Sequence, residues 1–122
     1  MLSALLKSDC PVGFLQFNEA CYYKSHLDVL QDFIDGNESL TGKHPDDVGF
    51  QEWEDGRLKS LYLSDHRITM IPDSIGLLRD LIYLDISRNM IEFIPESICD
   101  IFPYHTQVNI SDNKICPPYP YC

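Results

Sequence analysis

The amino-acid sequence predicts an α/β fold: a short solenoid of about two and a half coils with parallel strands, closed at one end by a helical, disulfide-bearing cap. Three observations predict it. Residues 58–78 superimpose on residues 81–101 after a shift of 23. Leu58, Leu61, Leu63, Ile68, Ile71, Pro72, Ile75 and Leu78 fall on Leu81, Leu84, Ile86, Ile91, Ile94, Pro95, Ile98 and Ile101. A partial third copy follows at an offset of 24, where Val108, Ile110, Asn113 and Ile115 match Leu84, Ile86, Asn89 and Ile91. Ahead of the repeats, Leu27, Leu30, Phe33 and Ile34 recur at helical spacing. One such coil cannot bury its apolar face alone, so it needs a neighbour stacked on it.

Each repeat spells L-x-x-L-x-L-x-x-N-x-I-x-x-I-P-x-x-I-x-x-L, as in the run from Leu81 through Asn89 to Pro95. This pattern resembles the leucine-rich repeat (LRR) family, over residues 56 to about 115. The resemblance implies parallel L-x-L strands with inward leucines. It also implies an asparagine (Asn89, Asn113) that turns the chain and bonds the backbone of the next coil. His66 stands at that place in the first repeat and is read as structural, an imidazole that donates one such bond. The Ile-Pro steps at 71–72 and 94–95 begin the return on the convex side, since proline cannot sit inside a paired strand. One residue is inserted near Tyr104–Gln107. Pro117, Pro118 and Pro120 end the repeats, with Tyr119 and Tyr121 expected to cover the open core. This tail resembles the close of short secreted bacterial LRR proteins.

One domain is expected: an N-terminal cap over 1–57, repeats over 58–115 and a Pro/Cys cap over 116–122. In the cap, Pro11 and Gly13 punctuate a small disulfide-closed turn or hairpin over 10–24. A helix over 25–35 follows, with Ser25 as N-cap, Asp28 in a capping-box place and Gly36-Asn37 as its stop. An edge strand over 50–53 then folds back at Asp55-Gly56 onto the first repeat strand. Helix, Trp53 and the Gly56-Arg57-Leu58 step resemble the N-terminal caps of extracellular LRR proteins, with Trp53 read as core filling.

A net charge of −10 argues against nucleic acid, whose phosphates need Lys and Arg, and against anionic membranes. No apolar run is long enough to span a bilayer, and residues 1–6 are too short for a secretory core and lack a basic start. Cys10, Cys21, Cys99, Cys116 and Cys122, with no C-x-x-C spacing, point to an oxidising, extracellular setting. Cys10–Cys21 is the expected N-terminal bridge. At the other end, the offset places Cys122 beside Cys99, one coil away, while Cys116–Cys122 is equally possible. The thiol left over is read as a buried free cysteine, with an intermolecular bridge as the alternative. Two sequons, at Asn37 and Asn109, are glycosylation candidates.

Strand alternation places columns on the concave face: Ser60, Tyr83 and Gln107; Tyr62, Asp85 and Asn109; Ser64, Ser87 and Ser111; Asp65, Arg88 and Asp112. The last column reads as a charge ladder worth at most about 1 kcal/mol per pair. Tyr62, Tyr83, Asp85, Arg88 and Gln107 are the candidate binding residues, since Tyr and Arg are enriched where partners bind most tightly. A glycan on Asn109 would partly block this face and move binding elsewhere.

Catalysis is not expected. The repeated serines recur with the repeat, and no G-x-S-x-G or phosphate-cradling loop is present. Cys99, His105, Cys116 and Cys122 have spacings unlike those of zinc sites, and Asp46-Asp47 is too sparse for calcium. No metal or cofactor is therefore expected. The resemblance implies a noncatalytic, secreted or surface-displayed module that binds protein or glycan. The competing reading is a self-assembling structural subunit, in which copies of the chain bury one another's solenoid ends.

Overall fold

The structure, a computed structural model, describes residues 10–17, 19–102, 106–120 and 122. The opening residues 1–6 and the covering role expected of Tyr121 therefore lie outside the described residues. The fold is mixed α/β, with one α-helix and six strands among the described residues. Strands β1 (Phe14–Phe17) and β2 (Ala20–Tyr23) form an antiparallel hairpin. Helix α1 (Lys24–Gly36) follows directly. Strands β3 (Phe50–Glu54), β4 (Arg57–Tyr62), β5 (Tyr83–Asp85) and β6 (Gln107–Asn109) then form one sheet in chain order.

Strands β3 and β4 pair antiparallel through the Asp55-Gly56 turn, where both residues have positive φ (52° and 76°). This is the two-residue turn whose twist matches that of the flanking strands. Gly56 is required there for a second reason: a Cβ would lie 2.6 Å from the Cys21 carbonyl oxygen. Strands β4, β5 and β6 pair in parallel, Leu61 against Leu84 and Leu84 against Val108. The same backbone bonds recur at both junctions. Leu63 N donates to Asp85 O (2.7 Å) and Ile86 N to Asn109 O (2.9 Å).

The core joins the repeated aliphatic set to Val29, Leu30, Phe33, Ile34, Leu40 and Val48 ahead of it. Leu58, Leu61, Leu63, Ile68, Ile75, Leu78, Leu81, Leu84, Ile86, Ile91 and Ile101 have no exposed surface. Burying a side chain of this size contributes roughly 1.5–3 kcal/mol, so this set dominates the stability of the repeats. Pro72 and Pro95 each precede a 3-10 turn, Asp73–Leu77 and Glu96–Asp100, which lies between one parallel strand and the next.

Several cap details differ from the expectation. The helix starts one residue early, at Lys24, with Tyr23 and not Ser25 at the N-cap and no side-chain cap. Two N–H groups at this end are met by backbone: Tyr23 N donates to Gly56 O (2.7 Å) and Lys24 N to Gly13 O (2.9 Å). Asp28 pairs with Lys24 at 2.8 Å and forms no capping box. The buried stripe is also rotated. His26, Val29, Leu30, Phe33 and Ile34 face the core, and Leu27 sits at its margin. Trp53 is only partly buried and packs on the edge of the core, its ring 4.9 Å from that of Tyr22.

The asparagine bonds run back to the preceding repeat, not forward to the next. Asn89 Nδ2 donates to Leu63 O (2.9 Å), and Asn89 Oδ1 accepts from His66 N and Ile68 N (both 2.9 Å). Asn113 repeats this one step on, with Nδ2 donating to Ile86 O (2.9 Å) and Oδ1 accepting from Ile91 N (3.0 Å). His66 takes no such part: its Nδ1 bonds only Ser64 O within its own turn, at 2.7 Å. The missing ladder member is Asn37, from the end of α1. Its Oδ1 accepts from Thr69 N (2.7 Å) and Met70 N (3.1 Å), and its Nδ2 donates to Phe33 O and Met70 O.

Candidate functional site

The sheet carries two of the expected columns in the register that the sequence offset predicts. Ser60, Tyr83 and Gln107 are aligned, as are Tyr62, Asp85 and Asn109. The edge strand extends both columns, because Glu52 pairs with Ser60 and Phe50 with Tyr62. Three aromatic rings run across the sheet. Phe50 and Tyr62 have centroids 5.6 Å apart, and Tyr62 and Tyr83 5.2 Å. Phe50 is 63% exposed, so this row faces solvent. Phe50 was expected only as the start of the edge strand, not as a binding residue; the signal was its place opposite Tyr62 across a two-residue turn.

Asp85 stands beside Tyr62 on the next strand and two residues from Tyr83 on its own. Its Oδ1 accepts from Ser87 N (3.0 Å) and Ser87 Oγ (2.7 Å). Asn109 holds Ser111 in the same way, through Ser111 N (3.1 Å) and Ser111 Oγ (2.9 Å). The Asn109-Ile110-Ser111 sequon is thus the third-repeat copy of the Asp85-Ile86-Ser87 turn, a local side-chain-to-backbone motif. Asn109 stays half-buried on the face. Asn37 is different: its side chain is 1% exposed and its amide is fully engaged, which leaves no room for a glycan in the folded chain.

Asp65, Arg88 and Asp112 do align, but as turn residues with φ of 61°, 56° and 57°. None of the three forms an ion pair, so the expected charge ladder is absent among the described residues. Left-handed turns fan these side chains out into solvent, where pairing gains little. Gln107 is exposed at the end of its column.

Two disulfides close the ends of the chain, Cys10–Cys21 and Cys99–Cys122. Cys99 and Cys122 are therefore not available as metal ligands. Cys116 is the free thiol, and its side chain is exposed, not buried as expected, although its backbone N still donates to Glu92 O of the preceding repeat (3.0 Å). Among the described residues, no group of three His, Cys, Asp or Glu side chains is placed to hold a metal ion. No helix among them is long and apolar enough to cross a membrane. At the C-terminal end, Ile94, Ile98, Val108, Ile110 and Ile115 line a cavity of about 420 Å³. Tyr119 stands at its wall but remains 59% exposed, so it does not cover the core.

Residues 56–115 match the family model described as Leucine rich repeat. That segment, just under half of the chain, is supported as a leucine-rich repeat, a class of repeat that commonly serves protein–protein interaction. No curated protein and no solved structure gives a significant match to the chain.

Proposed function

We propose that the protein is a noncatalytic extracellular interaction module, a short LRR solenoid that binds a protein partner on its sheet face. The observation that carries this reading is the solvent-facing row of Phe50, Tyr62 and Tyr83, with Asp85 beside it. Large aromatics held rigid by a sheet lose little entropy on binding and supply much contact area. Arg88 and Gln107 flank the row and complete the contact surface. In this reading residues 1–57 cap a single domain, 58–115 are the repeats, and 116–122 close it. Two disulfides favour an oxidising, extracellular location. The tail, which resembles the close of short secreted bacterial proteins of this family, fits that setting. A glycan ligand is the alternative on the same face, since sugars also stack on exposed aromatic rings. A glycan carried on Asn109 would shift binding away from that face.

Panning a random peptide library against the folded protein tests this. Enriched peptides that lose binding to a Tyr62→Ser/Tyr83→Ser variant support the sheet face as the site. Enrichment that the double variant leaves intact moves the site elsewhere.

Self-assembly is favoured by a different observation: at the C-terminal end an apolar cavity opens, and β6 has no strand on its outer edge among the described residues. An open edge and an apolar end are what a second copy would cover. Light scattering and negative-stain microscopy separate the two readings. A monodisperse monomer removes assembly, and ordered fibres demote the lone module.

A further inference from the structure

Resting on the protein-partner reading above, we propose that Tyr62, Tyr83 and Asp85 form a notch for a lysine or arginine side chain, so that the partner is a cationic protein segment. The two tyrosine rings pack against each other, centroids 5.2 Å apart at an interplanar angle of 45°, so a cation would meet the pair from the solvent side of the sheet. Ring faces attract cations, Arg more than Lys. Asp85 closes the third side, since it is the register partner of Tyr62. Its Oδ1 is fixed by both donors of Ser87, and Ser87 Oγ lies 3.2 Å from Ser64 Oγ, which steadies the group. Its Oδ2 has no hydrogen-bond partner among the described residues. A carboxylate held by one oxygen, with the other free beside two aromatic rings, is organised to receive an N–H donor of positive charge.

The surroundings carry the same sign. Glu52 lies on the same face, in register with Ser60. Asp65 and Asp112 flank Arg88 on the adjoining turns, and Glu54 at the opposite margin is matched by Lys59 at 3.9 Å. Carboxylates thus outnumber cations around the notch, and the chain as a whole carries −10. An acidic partner would be repelled. A basic one would be steered in, with a dependence on salt.

Fluorescence anisotropy with three labelled peptides of equal length tests the proposal: one rich in Lys and Arg, one uncharged, one rich in Glu. The basic peptide is expected to bind, more weakly as salt is added. Asp85→Asn keeps an oxygen for Ser87 but loses the charge, and should weaken binding about tenfold. Tyr62→Leu should do the same, while Tyr62→Phe, which keeps the ring, and Glu92→Gln, which removes an exposed carboxylate elsewhere, should leave it unchanged. Equal loss with Glu92→Gln, or none with Asp85→Asn, means diffuse charge attraction and overturns the notch. Tight binding of the uncharged or acidic peptide that Tyr62→Leu abolishes also overturns it, but keeps the sheet face as a protein site. If no peptide binds and a neutral oligosaccharide or a second copy of the chain does, the protein-partner reading itself falls.

Discussion

Leu58 and His26 are joined by a buried hydrogen bond in which the backbone donates and the imidazole accepts, Leu58 N to His26 Nδ1 at 3.0 Å. His26 belongs to α1 and Leu58 to β4, so this bond bolts the cap helix to the first repeat. It also fixes the tautomer: Nδ1 accepts, so the neutral ring carries its proton on Nε2, which lies 3.8 Å from Asp80. Asp80 in turn accepts from Arg57 at 3.1 Å, and Arg57 lies over the Tyr23 ring at 4.4 Å.

Acid should weaken this bolt. Burial lowers the His26 pKa below its ordinary 6.5, Asp80 pulls the other way, and Arg57 lowers it further. The unfolded chain therefore binds this proton more readily than the folded one. Stability from this site is whole above the unfolded value of 6.5 and falls as pH drops toward the lower folded value. Urea midpoints should fall between pH 7.5 and pH 5 in the wild type. They should fall less in His26→Gln, whose side chain does not titrate. Parallel losses in both proteins would contradict the assignment. His26→Leu, which leaves Leu58 N–H buried without a partner, should cost about 1–3 kcal/mol at neutral pH.

Asn89→Ala should cost about 3 kcal/mol or more, because it strips the partner from His66 N, Ile68 N and Leu63 O at once. Asn113→Ala should cost less, since two of its three amide bonds are exposed to water. Asn37→Ala should resemble Asn89→Ala, as it serves the same role for the first repeat. Denaturant melts of the three variants give the order.

The repeat geometry was legible because its carriers are apolar residues with a fixed period. Leu61, Leu84 and Val108 have no other way to leave water together. The tyrosine columns followed from the same register. Asn37 was not legible as a ladder residue, because it lies 52 positions before Asn89, outside any repeat, where its surroundings read as a sequon and a helix stop. His26 was missed for a similar reason. A polar ring on the helix breaks the apolar stripe, and only the tertiary approach of Leu58 N–H explains its burial. The charge ladder failed because a column of aligned positions says nothing of turn dihedrals.

One thiol should react with Ellman's reagent in the folded, unreduced protein, and peptide mapping should place it at Cys116. Cys116→Ser should leave stability within about 0.5 kcal/mol. Cys99→Ser should cost about 3 kcal/mol, since its bridge to Cys122 spans 23 residues.

Expression through a glycosylating secretory pathway should leave Asn37 unmodified in the folded fraction, by glycopeptide mass spectrometry. A glycan on Asn37 in folded protein would contradict its 1% exposure.

The in-register alignment of β4, β5 and β6 underlies both the stability and the surface. Nuclear Overhauser contacts in the labelled protein test it most directly. The account predicts cross-peaks linking the Leu61, Leu84 and Val108 methyls in sequence, and the Tyr62 and Tyr83 rings to each other. Absence of these contacts, or Leu84 methyls close only to residues of their own repeat, would contradict it.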